Sequence, residues 1–345
     1  MGPGVDERAA QVLRHIVEDY VSTAEPVGSR TVSKKMGQTL SPATIRNIMA
    51  DLEEMGFLAQ PHTSAGRIPT ASGFRFYIDR LLLRRALVQG EIEQLNLAAH
   101  EGGGSADGLV RQVSRLLANL ACQASVVIVS RPDEQRLRSV SLMRASLDKI
   151  LLVAVMQGGY VQHRLIEGEP DITPDELEKI NAYLNQLAEG LTLPQLRVRV
   201  RTELRKEKAR YDRVMHRALT MGARALADSG PGEVFVEGRA NILDQPEFAE
   251  DVDRLKRILR AFEEKTVIFR LLDRAMASQA IQVSIGQENP VEELGDVSVV
   301  ASGYRQGDSA VGSIGLIGPV RMDYSRMIPL VEYTANLLTT MFGHR

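Results

Sequence analysis

The sequence contains few of the residues on which covalent and metal-centred chemistry depends. Its 345 residues include one cysteine, Cys122, and no tryptophan. A single cysteine excludes an intrachain disulfide and a thiolate metal cluster held within one chain. Cys122 lies in a helical stripe with Leu116, Leu117 and Leu120. Because free cysteine is among the most buried residue types, we expect it to be a small core residue.

Long hydrophobic runs are also absent. No stretch of about 18 apolar residues, the length that crosses a bilayer, occurs in the chain. The first seven residues lack the basic and apolar regions of a secretory signal, and Asp6 does not fit a myristoylation pattern. We therefore expect a soluble cytoplasmic protein with no membrane partner.

Catalytic and metal-binding patterns are scarce as well. None of the six histidines has another histidine three or four residues away, as a helical metal site would require. No Gly-x-Ser-x-Gly elbow occurs. The glycine-rich run at 101–108 lacks the lysine of a phosphate-binding loop, so we interpret it as a linker. We predict that the chain is not an enzyme and carries no cofactor and no metal.

The overall charge does not suggest a nucleic-acid partner, since 42 basic and 44 acidic residues leave a formal −2. One segment differs from this average. Residues 26–50 contain no acid and four basic residues, which are Arg30, Lys34, Lys35 and Arg46. Phosphate contact requires such a local patch and does not require a basic average. The alternative is that Lys34 and Lys35 only keep a helix soluble.

Residues 41–55 have the pattern of a capped amphipathic helix. Ser41 can accept the free amide hydrogens of the first turn, and Pro42 suits the first helical position. The apolar side recurs at intervals of three and four residues, namely Ile45, Ile48, Met49, Leu52 and Met55. The opposite side carries small residues and partners for guanine and adenine, namely Ala43, Thr44, Arg46 and Asn47. We predict that the first two turns enter the major groove of DNA.

The flanking sequence predicts a winged helix-turn-helix. A helical stripe over residues 9–20 and a short helix after Ser29 precede the capped helix. Downstream, residues 57–60 and 67–69 are predicted to form the two strands of a hairpin. Such a hairpin is the wing, and we expect Arg67 near its tip to reach phosphate or the minor groove.

Five blocks of the sequence occur together in this chain, and their combination is not common among winged helices in general. They are residues 27–32 (Val-Gly-Ser-Arg-Thr-Val), 40–47 (Leu-Ser-Pro-Ala-Thr-Ile-Arg-Asn), 61–70 (Pro-His-Thr-Ser-Ala-Gly-Arg-Ile-Pro-Thr), 315–319 (Gly-Leu-Ile-Gly-Pro) and 321–324 (Arg-Met-Asp-Tyr). With them the chain resembles the HrcA family of bacterial heat-inducible transcription repressors. The resemblance extends over essentially the whole length, and its block at 61–70 is specific.

The resemblance implies a homodimeric repressor of heat-shock (chaperone) operons that binds an inverted-repeat operator in double-stranded DNA and is released on heat stress. It implies that the GroE chaperonin maintains this activity. In fold it implies an α+β, multidomain chain: an N-terminal winged helix-turn-helix, then a GAF-like antiparallel sheet domain interrupted by a mainly helical inserted dimerisation domain. Such a repressor is expected to be nucleoid-associated when bound.

Two groups of short apolar runs predict the strands of the sheet domain. They lie at 125–130, 149–155 and 160–165, with a Gly158-Gly159 hairpin, and at 265–272, 281–285, 297–302 and 309–317. The stretch between the groups is predicted to be mostly helical, and it is an insertion if both groups share one sheet. We divide the chain into a winged-helix DNA-binding domain (1–85), a linker helix and flexible loop (86–108), the first part of the GAF-like domain (109–170), the inserted dimerisation domain (171–264) and the second part of the GAF-like domain (265–345).

A stripe in the predicted insertion is a candidate dimer seam. It recurs at threes and fours along one long helix, and the dimerisation candidates are Leu204, Tyr211, Met215 and Ala218. Recognition of an inverted repeat requires a two-fold axis, which favours the dimer interpretation, and the alternative is packing within the same chain. An equally good candidate is a second amphipathic helix with Phe248, Val252, Leu255, Leu259 and Phe262.

We assign DNA base contacts to Ala43, Thr44, Arg46 and Asn47, and DNA backbone contacts to Arg30, Lys34, Lys35, Ser41 and Arg67. One alternative is a DNA regulator gated by a small-molecule effector in the GAF-like domain, with the ligand unknown. Another is an enzyme or sensor whose winged helix binds protein. The glycines of residues 312–319 could admit a ligand to the backbone, although tight turns or crowded strand packing explain them more simply.

Overall fold

The structure, a computed structural model of the chain, describes residues 5–62, 65–101, 106–130, 136–157, 161–167, 171–207, 213–226, 232–249, 251–278, 280–307 and 309–343. Contacts divide the chain into a main unit, comprising Met1–Ser130 and Glu233–Arg345, and an inserted unit, Arg131–Gly232. Both units combine helices with antiparallel sheets, which confirms the predicted α+β, multidomain class. Among the described helices, none is both long and apolar enough to span a bilayer.

The main unit begins with a winged helix-turn-helix. Its elements are α1 (Glu7–Thr23), α2 (Ser29–Lys35), α3 (Pro42–Glu54), β1 (Leu58–Ala59), β2 (Ile68–Pro69) and α4 (Ala71–Phe76), which continues into a π-helical turn (Tyr77–Leu81). Side-chain caps fix where three of the helices start. Asp6 accepts from Ala9 N at 2.7 Å, Ser41 from Thr44 N at 3.1 Å, and Thr70 from Gly73 N at 3.1 Å.

The apolar stripe of α3 is buried in the core of this domain. Ile45 and Leu52 are fully buried and Met49 is 4 % exposed, among residues of α1, α2, β1 and α4. Ile48 is partly buried, and Met55 at the end of the stripe is 37 % exposed because the helix ends there. The burial therefore fixes which face of α3 remains open to solvent.

Two helices, α5 (Gln89–Glu101) and α6 (Ala106–Ala121), then lead into β3 (Ala124–Ser130). The inserted unit follows, with β4 (Leu137–Arg144), β5 (Lys149–Met156), β6 (Val161–Glu167), α7 (Pro174–Ala188), α8 (Leu193–Glu207) and α9 (Arg213–Ala225). Its three strands form a separate antiparallel sheet in the order β4-β5-β6.

Two asparagines of α7 bind the free edge of β4. Asn185 accepts from Val140 N at 2.9 Å and donates to Val140 O at 2.6 Å. Asn181 accepts from Leu142 N at 2.7 Å and donates to Leu142 O at 3.0 Å. These side chains take the place of a neighbouring strand, so this part of the edge offers no unpaired backbone groups to another chain.

The chain then returns to the main unit. Its remaining elements are β7 (Gly232–Glu237), α10 (Ala240–Leu243), α11 (Pro246–Ala249), α12 (Val252–Glu263), α13 (Lys265–Ala277), β8 (Gln282–Ile285), β9 (Val297–Gln306), β10 (Ser309–Pro319) and α14 (Tyr324–Gly343). They complete a five-stranded sheet in the order β7-β3-β10-β9-β8, in which β10 pairs antiparallel with β3 and β9, and β9 with β8.

Helices cover both faces of this sheet. Because side chains alternate along a strand, Val127 and Val129 of β3 share a core with α6 and α14. Val126 and Ile128 share the opposite core with α12 and α13. The four residues 126–129 are consequently all apolar, as is typical of a strand buried on both faces, and the buried Ser125 hydroxyl lies 2.9 Å from Ser114 Oγ of α6.

The glycines of β10 are sites of crowded strand packing. A Cβ atom at Gly312 would lie 2.0 Å from Ile128 O, and one at Gly318 would lie 2.0 Å from Gln123 Oε1. Gly315 would meet Ala301 Cβ at 2.9 Å. The space beside these glycines is thus filled by neighbouring strands and side chains of the same chain, as the simpler interpretation of residues 312–319 held.

Two strand predictions need correction. Residues 265–272 form the start of helix α13, because Val267, Ile268, Leu271 and Leu272 follow a helical period and are buried along one side. The two strand groups do not form one sheet, since β5 and β6 pair with β4 and only β3 joins the later strands. The Gly158-Gly159 hairpin lies outside the described residues.

The contacts place the inserted unit at residues 131–232, whereas the predicted insertion is 171–264. The strands β4 to β6 share a core with α7, α8 and α9, whereas α12 and α13 pack on the main sheet. The insertion is therefore a mixed sheet-and-helix unit, and 252–264 belongs to the main unit.

The prediction that Cys122 is a core residue is wrong, because its side chain is exposed. Helix α6 ends at Ala121, and Cys122 adopts a left-handed φ of 51°. The residue consequently leaves the helical phase that would have turned it towards the core.

Candidate nucleic-acid interface

The first two turns of α3 present their polar face to solvent. Ala43, Thr44, Arg46 and Asn47 are all exposed, while Ile45 between them is fully buried. The Thr44 hydroxyl lies 2.9 Å from Ser41 Oγ, and Ser41 Oγ also accepts the Thr44 amide. The structure thus brings the four predicted base-contacting residues together on one open surface. Ser41 lies beside them as the helix cap.

The turn between α2 and α3 sets the angle at which this surface is presented. Ser33 Oγ donates to Leu40 O at 2.8 Å, and Gln38 N donates to Ser33 O at 2.8 Å. Gly37 and Gln38 both have positive φ, 65° and 58°, which closes the turn in a few residues. Val32, 1 % exposed, anchors α2 to the shared core.

The predicted phosphate contacts fall into two classes. Arg30 and Lys34 are exposed on α2 and form no ion pair within the described ranges. Lys35 contacts the carboxylate of Asp19, which is 7 % exposed on α1. Lys35 therefore joins α2 to α1, a role that no local pattern predicts because the two residues lie 16 positions apart on different helices.

The wing is joined to the residues that precede α2. Besides the short β1–β2 ladder, Val27 N donates to Arg67 O and Arg67 N donates to Val27 O, both at 2.9 Å. The two backbones approach so closely that a Cβ atom on Gly66 would lie 2.4 Å from Val27 O. Glycine is required at this position for that contact. Thr63 and Ser64, predicted in the turn of the wing, lie outside the described residues.

Arg67, predicted to reach phosphate, contacts an acid of α3. Its Nε lies 2.8 Å from Glu53 Oε2, and the two side chains are 19 % and 35 % exposed. Thr70 adds a second link, because its hydroxyl donates to Gly56 O at 2.6 Å just after α3 ends. The wing and α3 are thus held together at the acidic end of the helix, away from Arg46 and Asn47.

The dimerisation candidates lie in the inserted unit. The single predicted helix is two helices, α8 and α9, and Leu204 and the fully buried Ala218 belong to the core of that unit. Tyr211 lies outside the described residues, and nothing is described of the Met215 side chain. For Ala218, packing within the same chain is the interpretation that the structure supports.

The second amphipathic stripe is also largely covered by its own chain. Phe248 lies in α11 and is fully buried, and Phe262 in α12 is 3 % exposed. Val252 at the start of α12 is 58 % exposed.

Comparison with known sequences identifies the family. Residues 107–328 match the family described as "HrcA protein C terminal domain". The chain belongs to the HrcA family. A relative from Syntrophobacter fumaroxidans is 45 % identical over 339 residues, covering 98 % of this chain and 97 % of the relative. One from Geobacter sulfurreducens is 42 % identical over 337 residues, covering 98 % of each. Both bear the name heat-inducible transcription repressor HrcA.

A solved structure, titled as a hypothetical protein at 2.2 Å resolution, shares the fold of this HrcA chain. It is 23 % identical, with a TM-score of 0.65 over 99 % of both chains. The sequence relatives establish that this HrcA chain is a transcription repressor of heat-shock genes.

Proposed function

We propose that this HrcA chain represses chaperone operons by binding an inverted-repeat operator as a homodimer, with the start of α3 in the major groove. The observation that supports this most directly is the exposed face of α3. Ala43 and Thr44 are short enough to let the helix approach the bases. Arg46 can donate two hydrogen bonds to O6 and N7 of guanine, and Asn47 can donate to N7 and accept from N6 of adenine. The opposite face is buried, so the orientation of the helix is fixed.

Backbone contacts are proposed for Arg30, Lys34, Lys35, Ser41 and Arg67. Arg30 and Lys34 are free to bind phosphate directly. Lys35 and Arg67 must share their charge with Asp19 and Glu53, so their contribution to affinity is expected to be smaller. The hydroxyl of Ser41 already caps α3. A phosphate is therefore proposed to bind beside Ser41 at the helix N-terminus, where backbone amides favour an anion.

The homodimer is proposed from the symmetry of an inverted repeat, which matches a two-fold axis. The inserted unit, which carries Leu204, Tyr211, Met215 and Ala218, remains the proposed dimerisation region, although Ala218 itself is buried in the core of that unit and is not proposed as a contact between protomers. The GroE chaperonin is the proposed partner that maintains the active form. Because DNA is the target, the proposed site of action is the nucleoid in the cytoplasm.

A fluorescence-polarisation titration tests this proposal. Purified protein is titrated against an inverted-repeat chaperone-promoter duplex, a duplex with one half-site scrambled and a fully scrambled duplex. Each titration is done at two salt concentrations, with and without chaperonin. We expect tight, salt-dependent binding that prefers the intact inverted repeat and strengthens with chaperonin.

The result that would overturn the proposal is equal, weak binding to all three duplexes in every condition. That outcome would leave only a nonspecific basic patch. Preference for the inverted repeat without any effect of chaperonin would retain the operator and remove the GroE partner.

A further inference from the structure

The winged helix is attached to the sheet domain of the main unit by a cluster around α4. Arg75, the centre of this cluster, donates from Nε to Glu288 Oε1 at 3.0 Å and from Nη2 to Val283 O at 2.6 Å. Its Nη2 also contacts Glu288 Oε2. Arg75 therefore binds the Glu288 carboxylate in the forked geometry that guanidinium groups form with carboxylates. It also donates to the backbone of β8.

The carboxylate that receives Arg75 is itself held in place. Glu288 Oε2 accepts the amide of Ile285 at 2.9 Å across a short turn in which Gly286 has a φ of +56°. Burial alone would raise the pKa of Glu288. The hydrogen bonds from Arg75 and from the Ile285 amide outweigh that effect, and its pKa is lowered. Glu288 is thus an ionised, preoriented acceptor.

An apolar contact lies next to this ion pair. The ring of Phe74, 1 % exposed, lies 6.0 Å from the ring of Tyr324 at the start of α14. The Tyr324 hydroxyl lies 2.7 Å from Ser298 Oγ of β9 and 2.8 Å from Val320 O. Phe74 therefore packs against a side chain that is fixed to the sheet.

A second polar link joins α1 to residues outside the winged helix. Arg321 Nη1 donates to Val21 O of α1 at 3.3 Å, and Nη2 donates to Glu247 Oε2 at 3.2 Å. Two arginine links and one aromatic contact therefore connect the winged helix to the sheet domain, and contacts at several points restrain rotation as well as separation. The winged helix thus has one defined orientation on the sheet domain.

We propose that the Arg75–Glu288 pair sets the half-site spacing that the repressor accepts. This inference rests on the proposed dimer on an inverted repeat. In such a dimer the distance and angle between the two recognition helices depend on how each winged helix is oriented on its sheet domain. One additional base pair moves a half-site by about 3.4 Å and rotates it by about 35°, so a fixed orientation selects one spacing. Arg75 and Glu288 act as positioning residues, and neither reads a base.

The test uses a series of operator duplexes that differ only in the number of base pairs between identical half-sites, together with a single half-site duplex. Full-length wild type is compared with R75Q, E288Q and the exchanged double variant R75E/E288R. The matched control is R14Q, because Arg14 pairs with Glu18 at 2.7 Å within the single helix α1, with both side chains more than a third exposed. Thermal unfolding of each variant checks the fold, and E288Q, which is close in shape, carries the test if R75Q does not fold.

We expect wild type and R14Q to bind one spacing best. R75Q and E288Q should bind the duplex with that spacing about tenfold more weakly than wild type does. Their affinity for the neighbouring spacings and for the single half-site should change little, so the dependence of affinity on spacing becomes flatter. The exchanged double variant should restore part of the maximum.

The inference is overturned if R75Q and E288Q keep the wild-type profile. It is also overturned if they lose affinity equally on every duplex, including the single half-site, because that indicates a general structural role. If wild type itself does not prefer any inverted repeat to the single half-site, the proposed function fails first and the inference fails with it.

Discussion

At the level of single residues, the cations near the start of α3 differ in what surrounds them. Arg30, Lys34 and Arg46 are exposed and form no ion pair within the described part of the chain. Lys35 and Arg67 each contact a carboxylate. A free cation releases counterions when it meets phosphate, whereas a paired one must share its charge with its present partner. We therefore expect the salt dependence of DNA binding to come mainly from Arg30, Lys34 and Arg46.

Replacing the proposed base readers should change specificity. Arg46→Ala or Asn47→Ala removes a bidentate contact to a base, so each should cost about 1–3 kcal/mol of binding free energy on the matched operator. The same variants should lose little on operators already mismatched at that position. Titrations against single-base operator variants measure this difference.

Lys34→Ala is the control for this experiment, because a phosphate contact carries no sequence information. It should weaken binding to all duplexes alike and reduce the salt slope by about one. A uniform loss from Arg46→Ala on matched and mismatched operators would show that Arg46 contacts the backbone instead.

The Glu53–Arg67 pair allows the two roles of Arg67 to be separated. The pair is partly exposed, so a double-mutant cycle with Glu53→Gln and Arg67→Ala should give about 0.2–1 kcal/mol of coupling in chemical unfolding. If Arg67 also binds phosphate, Arg67→Ala lowers the salt slope of DNA binding and Glu53→Gln does not. Equal slopes for both variants and wild type would assign Arg67 to wing positioning alone.

Tyr77 makes stability sensitive to alkaline pH. Burial raises its pKa to about 12, and the carboxylates of Glu18 and Asp323 add to the rise. The folded state thus favours the neutral phenol. Its contribution to the free energy of unfolding is complete below about pH 10, the pKa in the unfolded chain, and is lost as pH rises towards 12.

We therefore expect the unfolding free energy to fall less steeply between pH 10 and 12 in Tyr77→Phe than in wild type. Tyr324, whose pKa is also raised, should leave a remaining dependence in that variant. Chemical unfolding at several pH values measures both slopes, and identical slopes would contradict the prediction.

At the level of elements, local signals in the sequence predicted the DNA-binding domain well. Ser41, Pro42 and the stripe from Ile45 to Leu52 specify α3 through capping and periodicity, which are properties of neighbouring residues. The same reasoning failed for α13, because Val267 and Ile268 are β-branched yet follow a helical period. It also missed β4, whose edge is completed by Asn181 and Asn185 from a distant helix.

The wing depends on a glycine. Gly66→Ala would place a methyl group 2.4 Å from Val27 O, so the backbone pairing between Val27 and Arg67 must open. We expect a loss of about 1–3 kcal/mol in unfolding free energy and weaker operator binding. Gly90→Ala is the control, since a Cβ atom at that glycine, in the first turn of α5, would meet no described atom within 4 Å apart from its chain neighbours and its own helix backbone, and alanine should stabilise α5 by up to about 0.5–1 kcal/mol. An unchanged Gly66→Ala protein would show that the close approach is not maintained in solution.

At the level of the whole molecule, we expect heating to release the repressor from its operator if the folded protein is only marginally stable. For a cooperatively unfolding unit of about 150–250 residues, 1 kcal/mol of destabilisation lowers Tm by about 2–4 °C. Asn185→Ala leaves the amide and carbonyl of Val140 without their partners and should cost about 1–3 kcal/mol. If unfolding controls the operator, the temperature of operator release should fall together with Tm.

Operator occupancy and unfolding can be followed in parallel for wild type, Asn185→Ala and the stabilised Gly90→Ala. Parallel shifts in opposite directions are the expected result. A protein that stays folded and operator-bound well above growth temperature without chaperonin would contradict control by unfolding.

The sequence by itself determined the winged helix, the exposed face of α3 and the family, because caps, turns, helical periods and local charge depend on residues close together in the chain. Only the tertiary structure decided which strands share a sheet, where the insertion begins, and that Lys35, Arg67 and Arg75 contact Asp19, Glu53 and Glu288. Partners of this kind are separated by up to some two hundred residues. Their meeting depends on how the whole chain packs, which no local pattern encodes.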